Sequence, residues 1–421
     1  MQGGRLLESL HIIGGRPLGG EIRIHGGKNA VLPILTAAAA IPGRFTLTNC
    51  PPIRDVEISL RLLEGLGVRW QRRQQSLYLD STGLSSARPD PELAGCLRSS
   101  ILLLGALLSS MGRARIPLPG GCALGARPID LHLQPLEQMG VVIRREQGCL
   151  DCTGRPSGGV AVLSYPSVGA TETLLLSALG ADGPLRIIGA AREPEIVDLV
   201  RFLRACGAHV EGEGTHSLLV RPAPLHGCSY SILPDRMEAA TYLCAAASAG
   251  GEITLLGVRP EQLAPVLHAL QEAGCTLETE ADRLRLRAGE LHAVRPIVTG
   301  PYPAFPTDAQ APMMAALLRA QGTSVIRETV FEDRFRHVPA LRRLGASIEL
   351  AGGLAAVHGV KKLRGCRMEA TDLRGGAAMV IAALAAEGDS RITGLTHLRR
   401  GYAELVPCLQ QLGADICLET L

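Results

Sequence analysis

Six times along the 421-residue chain, an apolar stretch with helical spacing runs into a glycine and then into a short strand-like segment. The copies are LLEGLGVRW, LEQMGVVIR, LRACGAHVE, LQEAGCTLE, LRRLGASIE and LQQLGADIC. Their glycines, Gly67, Gly140, Gly207, Gly274, Gly345 and Gly413, stand 73, 67, 67, 71 and 68 residues apart. Self-similarity at a fixed period means one supersecondary unit used again and again. It restricts the chain to architectures built from six α/β units of about seventy residues. Each glycine reads as the residue after a helix C-terminus, in the left-handed conformation that glycine adopts cheaply. The residues that follow, as in VRWQRR and ASIEL, alternate or are β-branched and predict strands.

A second element recurs between the first. It is an Ala- and Leu-rich helical stretch, then glycine, then a strand: ILTAAAAIPGRFTL, ILLLGALLSSMGRARI, TLLLSALGADGPLRI, YLCAAASAGGEITL, MMAALLRAQGTSVI and MVIAALAAEGDSRI. These helices are apolar almost all round, so they belong in a core. Helices inside and sheets outside follow, as two groups of three repeats. Aromatic residues are only 3% of the chain, so that core is aliphatic and alanine-rich. The length suggests two or three domains.

The net charge of +3, without a Lys/Arg run, argues against a nucleic-acid partner. The N-terminal MQGGRLLESLHIIGG lacks a secretory pattern, and the longest apolar stretches are too short to span a membrane. The 12 cysteines are scattered singly, mostly in apolar stretches, as in a reduced cytoplasmic protein. Cys149 and Cys152 form one CxxC without a second pair, and three positions apart on a strand they face opposite sides. No metal site is expected there.

Polar segments precede the six buried helices: HGGKN, CLRSS, PSVGATET, PDRMEAAT, FPTDAQA and TDLRGG. They put Lys28, Arg98, Ser167, Asp235, Arg236, Asp308, Asp372 and Arg374 at or beside helix starts. A helix N-terminus offers free N–H groups and about half a positive charge. Helix starts converging on one cleft, with Lys and Arg added, would trap small phosphorylated or carboxylated ligands. Taken singly, Asp308 and Asp372 also read as helix caps, and Arg98 and Arg374 as surface residues.

The segment LPGGCALGARPIDLH departs from the repeat with an added Gly-rich loop. Cys122 lies in it, near Arg127, where a cation and an open loop favour a reactive thiolate. The other eleven cysteines read as buried structural residues. Gly26, Gly27 and Lys28 resemble the end of a phosphate-binding loop, but Asn29 replaces the Ser/Thr and Ile22 the first glycine. GGRPLGG, residues 14–20, does not open a helix after a strand, which excludes a dinucleotide site.

Together, GGKNAVLPIL, LRSSILLLG, LPGGCALGARPIDLH, SVGAT, AAREPEIVD, FPTDAQA, ETVFEDRFRHVPAL, ATDLRGGAA and RGYAEL span nearly the whole chain. In these motifs it resembles the UDP-N-acetylglucosamine 1-carboxyvinyltransferases, the enolpyruvyl-UDP-GlcNAc synthases. A sister family that makes enolpyruvylshikimate phosphate shares the fold but not the PGGC loop. The resemblance implies an inside-out α/β barrel of two similar domains with the site between them. One domain would span 28–233, and the other 1–27 with 234–421.

The resemblance also implies roles. Lys28 and Asn29 match the pair beside phosphoenolpyruvate and the sugar, and Arg127 and Arg400 the arginines that hold phosphoenolpyruvate. Arg98 matches a contact to both substrates or to the uridine diphosphate end, and Arg374 a further cation of the site. Cys122 matches the mobile-loop cysteine, and Asp308 the acid nearest the reacting hydroxyl. Arg127, Pro128, Asp130, Leu131 and His132 would line the uridine end, Ser167, Val168 and Gly169 the diphosphate, and Val330 would be a second nucleotide-sugar contact. Departures from the pattern are Tyr165 in place of a Lys, Leu102 in place of a Trp, and Ala239 and Ala240 in DRMEAAT.

The expected reaction is addition then elimination, with Cys122 as acid and Asp308 as base. Phosphoenolpyruvate and UDP-N-acetylglucosamine are the expected partners, for a cytoplasmic monomer without a cofactor, in the first committed step of peptidoglycan synthesis. Two alternatives stay open: an enolpyruvyl transferase with another acceptor, and a non-catalytic paralogue that binds UDP-GlcNAc.

Overall fold

The computed structural model describes residues 8–74, 76–118 and 129–420. Within these residues the chain forms two compact units of mixed α/β structure. One takes 26–118 and 129–233; the other takes 8–25 and 234–420.

In the first unit the apolar stretches become the helices Lys28–Ala40, Leu103–Met111 and Val168–Ala178, almost wholly buried and packed on one another. Small residues allow the close approach. A methyl group on Gly105 would sit 2.3 Å from the Thr173 carbonyl oxygen of the neighbouring helix. Each helix leads into a strand: Arg44–Thr48, Arg113–Pro117 or Leu185–Ile188. That strand pairs antiparallel with the second arm of a hairpin, Ser76–Asp80, Cys149–Thr153 or Ser217–Arg221. Two of the sheets gain a parallel fourth strand, Ser229–Ser231 and Gly159–Val162 respectively, and the third stays three-stranded. Alternate side chains such as Phe45 and Leu47, or Leu185 and Ile187, point to the helices and are buried, as the period of a strand requires.

The second unit repeats this plan. Helices Arg236–Ala249, Thr307–Ala316 and Leu373–Ala385 each pack on the other two. Strands Gly251–Leu256, Thr323–Arg327 and Asp389–Thr393 follow them, each with a parallel neighbour: Leu18–Arg23, Ile297–Val298 and Arg367–Glu369. The last sheet is completed differently. In the other five, both arms of the hairpin are consecutive in sequence. Here Asp415–Thr420 pairs with Glu8–Ile13, which lies between it and Asp389–Thr393. This pairing draws the N-terminal segment into the second unit.

The glycine expectation holds at all six positions. Gly67, Gly140, Gly207, Gly274, Gly345 and Gly413 have φ of 105°, 85°, 95°, 106°, 98° and 85°. Among the described residues the six sheets are separate, and none closes on itself. No described helix is long and apolar enough to cross a membrane.

GGRPLGG opens no helix, as its sequence suggested: it runs from the strand Glu8–Ile13 into the strand Leu18–Arg23. Two expectations change. Arg98 does not open an α-helix: Arg98–Leu102 is a 3-10 turn that runs into the helix at Leu103. The cysteines other than Cys122 are not uniformly core residues, since Cys96 and Cys417 are exposed and Cys149, Cys228 and Cys366 half-buried. Cys149 and Cys152 lie on opposite faces of their strand, Cys152 inward, as a period of two predicts.

Candidate functional site

In the second unit the functional side chains gather at the starts of the buried helices. Asp308 lies in the first turn of Thr307–Ala316, whose N-cap, Pro306, makes no side-chain bond. Asp308 is therefore not a cap. Its carboxylate accepts from two guanidiniums: Arg334 Nη2 at 2.7 Å on Oδ1 and Arg374 Nη2 at 3.1 Å on Oδ2. Both arginine side chains are 3% exposed, against 28% for Asp308, so the carboxylate keeps an open side. Arg334 also donates to the Thr307 carbonyl oxygen through Nε and Nη2, which fixes the fork.

Arg374 is not a surface residue, as one reading of the sequence had it. Asp372 caps its helix through the Arg374 and Gly375 amides, so Asp372 does match the cap reading. From the first turn, Arg374 Nη1 donates to the Tyr402 hydroxyl at 3.1 Å, and that oxygen is 2.7 Å from Thr241 Oγ1. Burial alone would lower the Arg374 pKa, but Tyr402 and Asp308 outweigh it and the net shift is upward. The cation is thus permanent. Arg400 follows in the turn just before Tyr402 and is half-buried.

The loop after Thr323–Arg327 carries Val330. Glu328, buried at its base, accepts from the amides of Val330 (2.7 Å) and Phe331 (3.1 Å) and from the hydroxyls of Thr299 and Thr307 (both 2.9 Å). One carboxylate therefore sets the position of Val330 relative to the helix that holds Asp308. Asp235 caps Arg236–Ala249 through the Met237 and Glu238 amides. His25 bonds Glu238 through both its amide (2.9 Å) and Nδ1 (3.0 Å). That bond raises the imidazole pKa, against an opposing effect of burial.

In the first unit Lys28 and Asn29 begin their helix, which has no side-chain cap and no acid in its first turn. Lys28 is half-buried and Asn29 exposed. Ser167 caps Val168–Ala178, its Oγ accepting from the Ala170 amide at 3.3 Å, so Val168 and Gly169 form the first turn. His132 packs on that turn. A methyl on Gly169 would meet the His132 ring carbon at 3.1 Å, so glycine is what admits the ring. His132 Nδ1 lies 2.9 Å from Thr173 Oγ1. Burial, reinforced by the Arg98 cation, pushes its pKa down to about 4, so the ring is neutral. His132 thus sits against the Ser167–Gly169 turn, within electrostatic reach of Arg98, which is half-buried in its 3-10 turn. Asp130 opens Asp130–Gln138, pairs with Arg145 at 3.3 Å, and is exposed; Leu131 beside it is half-buried. Glu172, buried one turn into its helix, is held well above the usual carboxylate range by burial, with Glu195 and Glu193 adding to it. Cys122, Arg127 and Pro128 lie outside the described residues.

The profile of the EPSP synthase (3-phosphoshikimate 1-carboxyvinyltransferase) family matches residues 12–409. A UDP-N-acetylglucosamine 1-carboxyvinyltransferase of Nostoc sp. is 45% identical over 97% of this chain and 93% of its own length. One of Prochlorococcus marinus is 43% identical over 97% and 95%. The chain belongs to the UDP-N-acetylglucosamine 1-carboxyvinyltransferase family. Among solved structures, the enolpyruvyl transferase NikO from Streptomyces tendae superposes on this chain with a TM-score of 0.89. It is 26% identical and covers 99% of this chain and all of its own. EPSP synthase from Acinetobacter baumannii, 20% identical with a TM-score of 0.75, shares the fold.

Sequence reasoning missed several residues around the candidate site: Arg334, Tyr402, Thr241 and Glu328. Arg334 and Tyr402 sit in the quoted motifs ETVFEDRFRHVPAL and RGYAEL, but their spacing from Asp308 and Arg374 carries no periodic signal. The buried Glu172 was equally silent, one acid among many in the sequence.

Proposed function

We propose that this chain transfers the enolpyruvyl group of phosphoenolpyruvate to the 3′-hydroxyl of UDP-N-acetylglucosamine and releases phosphate. This is the first committed step of peptidoglycan synthesis, and the proposed location is the cytoplasm. The observation that carries the reading is family membership over nearly the whole chain, joined to a carboxylate, Asp308, fixed by two buried guanidiniums with one side open.

A proton passes from the Cys122 thiol to C3 of phosphoenolpyruvate, leaving oxocarbenium character at C2. The sugar 3′-hydroxyl attacks C2 while Asp308 accepts its proton, which gives a tetrahedral, phosphate-bearing intermediate. Loss of phosphate and of a C3 proton yields the enol ether. Enol ethers are weak bases, so the acid must be held close and water kept out. Lys28, Arg127 and Arg400 neutralise the carboxylate and phosphate, and they stabilise the departing phosphate. Arg374 fixes the orientation of Asp308. Asn29 and Arg98 touch the sugar and diphosphate. Ser167, Val168 and Gly169 bind the diphosphate through first-turn amides. Pro128, Asp130 and Leu131 flank the uridine, and Val330 the nucleotide sugar. No step calls on a metal or organic cofactor. In this reading the six units form an inside-out α/β barrel in two domains, 28–233 and 1–27 with 234–421, and the epoxide fosfomycin alkylates Cys122.

Tyr165 favours one other reading. It is exposed where relatives of this family carry Lys, and its carbonyl oxygen accepts from the Ser167 amide at 2.7 Å. A paralogue that binds UDP-GlcNAc without turnover would tolerate that change. Phosphate release with both substrates decides. Steady release that depends on UDP-N-acetylglucosamine supports the transferase, release with shikimate phosphate alone shifts the acceptor, and binding without release leaves the paralogue.

A further inference from the structure

The outer face of the last sheet carries a cluster that the reaction does not use. His11 lies on Glu8–Ile13, and its register partner on Asp415–Thr420 is Cys417. Residues directly opposite on antiparallel strands project to the same face, and the diagonal neighbour two positions on is within reach of a long side chain. That neighbour is Glu419, whose Oε1 lies 3.3 Å from His11 Nδ1. One ligand atom each from His11, Cys417 and Glu419 lies within 4.8 Å of the other two. On the opposite side, Asp389 Oδ2 of the next strand is 3.9 Å from His11 Nε2.

We infer that His11, Cys417 and Glu419 form a binding site for a divalent transition metal of the zinc class, with Asp389 as the group that orients the histidine. Imidazole, thiolate and carboxylate together are the donor set of zinc, and solvent supplies the fourth position. Nδ1 faces Glu419 at 3.3 Å, while Nε2 faces the Asp389 carboxylate at 3.9 Å, an ion-pair distance at which Asp389 biases the ring electrostatically. Arg391 is the neighbouring cation. It pairs with Oε2 of Glu419 at 3.3 Å, which leaves Oε1 for the metal. Charge balances as well. A thiolate, two carboxylates and one guanidinium sum to minus two, which a divalent ion cancels; the thiol proton passes to solvent on binding. The cluster is open to solution, with Cys417 exposed and Asp389 70% exposed. A bound ion would clamp the strand Glu8–Ile13 to the edge strand Asp415–Thr420.

The test uses the full-length, reduced protein stripped with EDTA. Zinc is titrated in competition with a chromogenic chelator, and cobalt(II) reports the ligands by its thiolate charge-transfer band. One equivalent of zinc is expected, with a cobalt–thiolate band that Cys417→Ser abolishes and Cys96→Ser, at another exposed thiol, leaves intact. His11→Gln lowers zinc affinity by about tenfold or more, and Asp389→Asn by a smaller factor, because Asp389 acts on the ring only through its charge at 3.9 Å. Zinc raises the thermal midpoint of the unmodified protein but not that of Cys417→Ser. Phosphate release by the variants, unchanged from the parent, verifies that they fold. Zinc binding of Cys417→Ser or His11→Gln as tight as the parent's, a band lost in Cys96→Ser, or no stoichiometric zinc in the parent overturns the site.

Discussion

Arg374 donates to Asp308 at 3.1 Å across a sequence separation of 66 residues, the first turn of one buried helix reaching the first turn of another. With Arg334 on the second oxygen at 2.7 Å, the carboxylate cannot rotate without breaking a bond to a buried cation. In the proposed role of base, the carboxylate would accept the proton on its open side, with each oxygen held in place by a guanidinium. Asp308→Ala should keep nucleotide-sugar binding and lose turnover by about 10²–10⁴-fold, the range of positioned acid–base groups. Calorimetric binding beside a phosphate-release assay separates the two, and near-normal turnover removes Asp308 from the mechanism.

Arg334 touches both Asp308 and the carbonyl oxygen that starts its helix, so its effect should appear in turnover. Arg334→Met is expected to cut kcat by about a hundredfold, the scale of a small misplacement of a reacting group, with KM for the nucleotide sugar little changed. Arg334→Lys should restore only part, because an ammonium cannot make the fork. A change confined to KM would assign Arg334 to binding.

Tyr402 joins Arg374 to Thr241 through a single buried oxygen. Tyr402→Phe leaves a buried guanidinium N–H without this acceptor and should cost about 1–3 kcal/mol of stability. Urea unfolding measures it, and an unchanged midpoint would mean that another acceptor replaces the hydroxyl.

Cys122→Ser should abolish turnover and labelling by fosfomycin together. Mass spectrometry of the intact protein after exposure to the epoxide reads this directly, and undiminished labelling points to another thiol.

His132 predicts an acid limit. Its folded-state pKa is pushed down to about 4 from 6.5, so the unfolded chain binds the proton first as pH falls. The associated stability is fully present above pH 6.5 and is lost as pH falls towards 4. About 2 kcal/mol of it is gone by pH 5, at roughly 1.4 kcal/mol per pH unit. His337, also buried and pushed down to about 4, acts with the same sign. His132→Asn should therefore narrow the gap between urea midpoints at pH 7 and pH 5, and an unaltered gap would refute the assignment.

The repeat was legible because it is written in local rules. A glycine at positive φ ends a helix whatever surrounds it, and an alanine-rich helix that is apolar all round has to be buried. The six glycines and six buried helices could therefore be read from the chain alone. The difference between Asp308 and Asp372 could not. Both stand at helix starts, and only the packed structure decides that Asp372 meets its own helix amides while Asp308 meets arginines from elsewhere. The alternative of a surface Arg374 stayed open in the sequence for the same reason: its burial is made acceptable by Asp308 and Tyr402, partners distant in sequence. The Arg98 turn and the hydrogen bonds of Glu328 likewise depend on neighbours that no periodicity announces.

The strand Glu8–Ile13 has a consequence for the order of assembly. It is made before residues 26–233, yet one neighbour in its sheet, Asp415–Thr420, is made after them. The unit within residues 26–233 can condense while translation proceeds, whereas the other unit has to wait with the strand Glu8–Ile13 unpaired until both of its neighbours, Asp389–Thr393 and Asp415–Thr420, have been made. Vectorial synthesis thus imposes a sequence of events on two structurally similar halves, and the late one is most exposed to mispairing or proteolysis before its final strand arrives.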